Sequence, residues 1–286
     1  MAKIAIIGGS GLYNIEGIKK SKQISISTPF GKPSDKIIMG ELAGKEIIFL
    51  PRHGIGHRIS PTQINYRANI YALKKLGVER IISVSACGSL KEKIAPLDFV
   101  IPFQFVDRTN QARNMTFFEN GIVAHISFAH PVCEELAEIL AQAMKRLNIK
   151  FHTEATYLNM EGPAFSTLAE SQLYRQWGMD IIGMTNLAEA RLAREAEICY
   201  ATLAAVTDYD CWHSPQETVN AQMVVENLKK NIENAKRIIK EALVYIKEER
   251  NCSCKDALKD AIVTPKKFIP IKTRKILSPI ISKYIK

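Results

Sequence analysis

The chain has 286 residues, of which 47% are apolar and 24% charged, enough to fill the core of one large α/β domain and too ordinary a mixture for a disordered or disulfide-stapled protein. No run approaches the ~18 consecutive apolar residues of a membrane span, and the start Met-Ala-Lys-Ile-Ala-Ile-Ile-Gly-Gly has no signal-peptide pattern, so a cytoplasmic protein is expected. The formal charge of +10 is unevenly spread: Ala261 to Lys286 holds seven basic residues and no acidic one, which leaves +3 for the rest. Such a tail suits nucleic acid or an anionic membrane surface, but a solvated face or intersubunit packing is the simpler reading.

Lys3 to Gly8 reads as a buried strand running into a glycine turn, and Lys36 to Leu50 as a hairpin. Ser60-Pro61-Thr62-Gln63 supplies an N-cap, a first-turn proline and a capping-box glutamine, which predicts a helix to Leu76 with Gly77 as its stop. Strands are expected at Arg80 to Ala86, Asp98 to Val106, Ala155 to Met160, Asp180 to Met184 and Ile198 to Thr207. Between them lie helix patterns at Pro131 to Leu147, Thr167 to Trp177 and Leu187 to Glu197, with a long final helix near Pro215 to Glu249. The alternation predicts one α/β domain over residues 1–250, a central mixed sheet flanked by helices. A basic extension at 251–286 is expected to pack on the same domain or on a neighbouring subunit.

Six cysteines are too few and too scattered for a disulfide framework, so reduced thiols are the default. Cys252-Ser253-Cys254 is the exception, a close pair that could be redox-active or cross-linked. Metal binding there is disfavoured because no His or second Cys pair lies near it in the sequence.

Six strings carry candidate chemistry. Gly8-Gly9-Ser10-Gly11 follows a strand and could cradle an anion with backbone N–H groups and the Ser10 hydroxyl, although a plain tight turn fits equally well; it matches neither a dinucleotide fingerprint nor a Walker loop. Pro51 to His57 packs one arginine, two histidines and two glycines into seven residues, with Arg52 offering a planar fork for phosphate oxygens and His53 a titratable donor. Ser83 to Ser89 ends a strand in small hydroxylated residues and Gly88, where a ligand can approach the backbone; Cys87 lacks any triad-like context. In Glu161 to Thr167, Phe165 could stack on an aromatic base and Glu161 could reach ribose hydroxyls, while Thr167 and Glu170 also form a capping box. Met184-Thr185-Asn186 closes a strand with an adaptable apolar residue beside a hydroxyl. Thr207-Asp208-Tyr209-Asp210 puts two carboxylates at a strand end, which is costly unless they bind a metal, handle protons or cap a helix; hydrogen bonding to an amine-bearing base with proton delivery is preferred, since no other acidic cluster has metal-ligand spacing.

In this order and together, the strings at 8–11, 52–54, 85–89, 161–167, 184–186 and 207–212 resemble those of the 5′-methylthioadenosine phosphorylases of the purine nucleoside phosphorylase superfamily, over nearly the whole chain to about residue 245. The resemblance implies a trimer, or a dimer of trimers, with each site near a subunit boundary. It implies phosphate held by Ser10, Arg52, His53, Ser85, Ala86 and Thr185. The purine would lie against Phe165 and the Cys87-Gly88 backbone, with Ser166, Asp208 and Asp210 on its polar edge, Met184 against the ribose and the small Ala221 leaving room for a methylthio group. His125 is loosely aligned with a residue lent to a neighbouring site. Ser10 and Ser85 stand where many relatives have Thr, and Ala188 where the family usually has Pro.

The implied reaction is phosphorolysis of 5′-methylthioadenosine to adenine and 5-methylthioribose 1-phosphate, with phosphate as co-substrate and no metal or organic cofactor. Asp208 is the residue expected to share a proton with the purine ring nitrogen as the glycosidic bond breaks. Ionised Asp208 and Asp210 suit the exocyclic amine of adenine and repel the carbonyl of hypoxanthine or guanine. The rival readings are a phosphorylase of broader or 6-oxopurine specificity, a nucleosidase using water, and a nucleotide- or nucleic-acid-binding protein using the basic tail. A nucleic-acid or membrane partner is not expected.

Overall fold

The computed structural model describes residues 3–9, 11–12, 17–110, 113–213 and 221–285, with backbone alone for 221–225. The elements in order are β1 (Lys3–Gly8), β2 (Lys19–Ile24), β3 (Ile37–Leu42), β4 (Lys45–Pro51), α1 (Tyr66–Lys75), β5 (Val78–Ser89), β6 (Phe99–Arg108), α2 (Glu134–Arg146), β7 (Phe151–Met160), α3 (Leu168–Gln176), β8 (Ile181–Gly183), α4 (Asn186–Glu195), β9 (Cys199–Asp208), α5 (Ala221–Tyr245) and α6 (Ile271–Ile281). The nine strands form one mixed sheet in the order β2-β3-β4-β1-β5-β8-β7-β6-β9, and a further pairing of β5 with β9 closes the last five into a ring. That closure removes one exposed edge.

Both faces of the sheet are covered, which is why β1 reads as a continuous apolar run instead of an alternating one. Ile4 and Ile6 point to a layer built from Leu136, Leu140 and Met144 of α2 and Ile238, Ile239 and Leu243 of α5. Ala5 and Ile7 point the other way, to Ile70 and Leu73 of α1, Leu192 of α4, and Leu277 and Ile280 of α6. The C-terminal segment therefore packs into the core of the same chain. Its charge is partly matched there: Lys283 Nζ lies 2.6 Å from Asp256 Oδ1 and 3.9 Å from Glu197 Oε2. No helix among the described residues is long and apolar enough to cross a membrane.

The parallel ladders position the chemistry. In register, Gly8 of β1 faces Pro51 of β4, Ile7 faces Ser83 of β5, and Gly88 of β5 faces Asp208 of β9. The ends of these strands thus gather the glycine turn, the Arg52 loop, the Ser85 to Ser89 stretch and the aspartate pair at one edge of the sheet, where α/β folds place ligands.

Three local outcomes differ from the sequence reading. The Ser60 capping box closes only a 3₁₀ turn at Pro61–Gln63; Ile64 is extended and the helix restarts at Tyr66, because the Asn65 side chain accepts from Ala68 N at 3.0 Å and becomes the N-cap. Polar β2 gave no strand signal, since its residues are mostly exposed and it is held by backbone pairing to β3. Cys133 and Cys199, distant in sequence from Cys252 and Cys254, meet them in space, so the four sulfurs lie within 4.8 Å of one another.

Candidate active site

A cavity of about 730 Å³ opens at this sheet edge, within the range of small-molecule sites. Arg52, His53, Ser85, Ala86, Cys87, Gly88, Phe165, Met184, Thr185, Asp208 and Asp210 all line it, so the fold assembles eleven of the fourteen residues expected to form the site. Ser166 sits just outside the lining, where its carbonyl accepts from Cys211 Sγ at 3.4 Å. Ser10 and the side chain of Ala221 lie outside the described residues, although Ala221 opens α5. His125 lines a separate, larger cavity of about 1080 Å³.

Arg52 is 2% exposed and its guanidinium is already engaged. Nε donates to Glu189 Oε1 at 2.5 Å, Nη2 to Glu189 Oε2 at 3.1 Å and to Ser83 Oγ at 2.6 Å, and Nη1 to the Val84 carbonyl at 2.8 Å. Four of its five N–H groups are thereby used, so the planar fork grips Glu189 and a single N–H is left for a ligand. Burial opposes the charge, but the Glu189 carboxylate more than offsets it and holds the guanidinium protonated.

His53, the expected titratable donor, is held neutral at neutral pH. Burial first, and the Arg52 charge second, lower its pKa to about 4. Its Nδ1 donates to the Ile59 carbonyl at 2.9 Å, which leaves Nε2 as an acceptor, and the ring stacks on His57 at 4.3 Å. An unfolded His binds its proton near pH 6.5, so between about pH 6.5 and 4 the unfolded chain holds the extra proton and stability falls as pH falls. Going from pH 7 to pH 5 should cost at most about 2 kcal/mol through this group. A urea titration at the two pH values measures it, and His53→Gln should flatten the difference; an equal loss in the variant would assign the acid sensitivity elsewhere.

Thr185 occupies the N-cap position of α4 without its hydroxyl capping the helix, and it is 4% exposed. Thr185 lines the cavity, so its hydroxyl sits beside the positive end of the α4 dipole, a setting that favours an anion, while the Leu187 amide is taken up by Asn159 Oδ1 at 3.1 Å. The next residue, Asn186, accepts from Ser85 Oγ at 2.9 Å and donates to Ser83 Oγ, Tyr200 OH and Thr202 Oγ1 at 3.0–3.1 Å, so it fixes the β5 hydroxyls against α4.

At the other end Asp208 is 6% exposed; its Oδ2 accepts from Thr207 Oγ1 at 2.7 Å and its Oδ1 from the Asp210 amide at 2.8 Å. Burial raises its pKa, with Asp210 adding to the rise and those two hydrogen bonds opposing it. Asp210 is likewise raised by burial. It holds a left-handed φ of 54°, which aspartate tolerates, and among the described residues its buried Oδ2 has no hydrogen-bond partner. Gly88 is required by this pair, because a Cβ there would come within 2.9 Å of Asp208 Oδ1. Cys87 is buried, and burial pushes its thiol well above the usual range, which removes it as a nucleophile.

Two further residues hold the site together, Glu189 and Arg113, and neither belongs to any of the six strings. Arg113 donates to the carbonyls of Glu161, at 2.6 Å, and Met184, and its Nε to Glu161 Oε1 at 3.2 Å, so it clamps two site loops together. Glu161 is thereby occupied, also accepting from Thr62 Oγ1 at 2.5 Å, and it does not line the cavity where the ribose reading had put it.

Residues 3–244, which include every strand end that lines this cavity, match the phosphorylase superfamily. The chain is 54% identical to the S-methyl-5′-thioadenosine phosphorylase of Koribacter versatilis over 283 residues, covering 99% of this chain and 97% of that one. A solved methylthioadenosine phosphorylase from an antarctic soil metagenomic library superposes with a TM-score of 0.93 at 51% identity, covering 98% of both chains. The methylthioadenosine phosphorylase of Schistosoma mansoni in complex with adenine gives 0.84 at 39% identity, over 90% of this chain and 96% of that one. This chain belongs to the S-methyl-5′-thioadenosine phosphorylase family of the phosphorylase superfamily.

Proposed function

We propose that the chain cleaves 5′-methylthioadenosine with inorganic phosphate to give adenine and 5-methylthioribose 1-phosphate. The observation that carries this reading is one cavity with donors at one end and two buried carboxylates at the other, Ser85 and Gly88 of the same strand being about 10 Å apart.

Phosphate binds where the Ala86 amide, Thr185 and the remaining Arg52 N–H converge beside Ser85, whose hydroxyl proton turns from Asn186 Oδ1 to the anion, with Ser10 as a further donor. Neutral His53 accepts the hydroxyl of hydrogen phosphate at its bare Nε2. Purine stacks on Phe165 over the Cys87-Gly88 backbone, and Met184 packs against the ribose. The Asp210 carboxylate accepts from the exocyclic amine, with Ser166 beside it, and Asp208, its pKa raised by burial, shares its proton with the ring nitrogen. The phosphate charge then stabilises the cationic carbon that the departing base leaves behind. None of these steps needs a metal or organic cofactor. The ionised Asp210 carboxylate opposes a 6-oxo group, which supports an aminopurine substrate over hypoxanthine or guanine.

A trimer or dimer of trimers in the cytoplasm is part of the same proposal, supported by the exposed Phe165, Leu168, Leu173 and Trp177 on and around α3, next to the cavity. The test is incubation with methylthioadenosine, adenosine and inosine, each with and without phosphate. Adenine should appear from the first only when phosphate is present; release that ignores phosphate, or a preference for inosine, overturns the reading.

A further inference from the structure

We propose that Cys133, Cys199, Cys252 and Cys254 bind one soft divalent cation, zinc foremost, as a tetrathiolate site. Their sulfurs lie within 4.8 Å of one another, with those of Cys199 and Cys252 3.2 Å apart. A tetrahedral zinc with Zn–S bonds of ~2.3 Å spaces its sulfurs ~3.8 Å apart, so small side-chain adjustments complete the polyhedron. Packing alone does not ask for this. A core position accepts any apolar side chain of suitable volume, whereas here four thiols from three separate elements converge on one point.

Cys133 is the N-cap residue of α2, Cys199 opens β9, and Cys252 and Cys254 flank the start of a 3₁₀ turn after α5. Cys133, Cys199 and Cys254 are buried and Cys252 is half-buried. Cys133, Cys252 and Cys254 line the cavity of about 1080 Å³, which gives an ion a path in. Binding replaces four thiol protons by one divalent ion and leaves a complex of charge −2. Arg250, whose Nη1 lies 4.0 Å from Cys199 Sγ, and the positive end of α2 at Cys133 offset that charge.

The site is structural. Cys199 and Asp208 terminate opposite ends of a ten-residue strand, about 30 Å apart, so the ion takes no part in cleavage. It fastens the segment after α5 to α2 and β9.

Full-length protein purified under reducing, chelator-free conditions and dialysed against zinc should hold about one equivalent per chain by elemental analysis. Exchange for cobalt should give the thiolate-to-cobalt charge transfer and intense visible bands of a tetrahedral tetrathiolate. Cys133→Ser and Cys254→Ser should each reduce the zinc content at least tenfold and lower the melting temperature, while kcat for adenine release changes less than twofold. Because the cobalt spectrum is read on the unaltered chain, a variant that fails to fold does not spoil the test. Two results overturn the site: no retained zinc with four cysteines still titrating as free thiols, or no retained zinc and a mass lowered by the hydrogens lost to disulfides.

Discussion

Replacing Asp208 by Asn is expected to slow phosphate-dependent adenine release about 10²-fold, at the low end of what a lost general acid costs. The side chain is almost isosteric: its Oδ1 can still accept from the Asp210 amide, and its Nδ2 can donate to the Thr207 hydroxyl, which keeps the Cys87 carbonyl as its own acceptor, so the fold should survive. What it cannot do is carry a proton. Burial raises the pKa of Asp208, which keeps the acid form accessible to higher pH than an exposed aspartate would. A proton donor works when protonated, so kcat of the unaltered enzyme should fall as pH rises through that pKa, and the variant should lose this limb. The amide also offers an N–H to a 6-oxo group, so activity on inosine relative to methylthioadenosine should rise. Steady-state kinetics with both nucleosides at saturating phosphate, across the pH range, measures all three; unchanged turnover removes Asp208 from the chemistry.

Sequence reading did well where the signal was local. Buried strands announce themselves by apolar runs, and site loops by glycines and hydroxyls at strand ends, so the ladder that sets Gly88 beside Asp208 was foreshadowed by two strings 120 residues apart. Legibility failed where pairing is long-range. Nothing in Asn186 to Glu195 marks Glu189 as the counter-ion of Arg52, 137 residues away, because a helix acid reads the same whether it faces water or a buried guanidinium. The neutral state of His53 is illegible in the sequence for a related reason, since it is burial first, and the Arg52 charge second, that depress its pKa. Cys133 and Cys199 likewise lie more than fifty positions from Cys252, and only the closure of β9 against α2 brings them together.

Removing the counter-ion itself should have the largest effect on stability. Glu189→Ala is expected to destabilise the fold by about 3–5 kcal/mol, because Arg52 cannot lose its proton and would be left charged in a site where both partners are now 2% exposed. By contrast, Glu41→Ala, which breaks the exposed pair with Lys20 at 3.4 Å, should cost well under 1 kcal/mol. The mechanism is the orphaned charge, not the lost attraction, and a double replacement separates the two. Arg52→Met combined with Glu189→Leu leaves no buried charge and fills the volume, so it should recover most of the stability lost in Glu189→Ala. It should not recover function: with the Arg52 N–H gone from the cavity, KM for phosphate should rise at least tenfold while the protein unfolds near its original denaturant midpoint. If the double replacement is as unstable as the single one, the pair acts through its hydrogen bonds to Ser83 and Val84 instead of through charge. If phosphate affinity survives, Arg52 organises the loop without touching the anion.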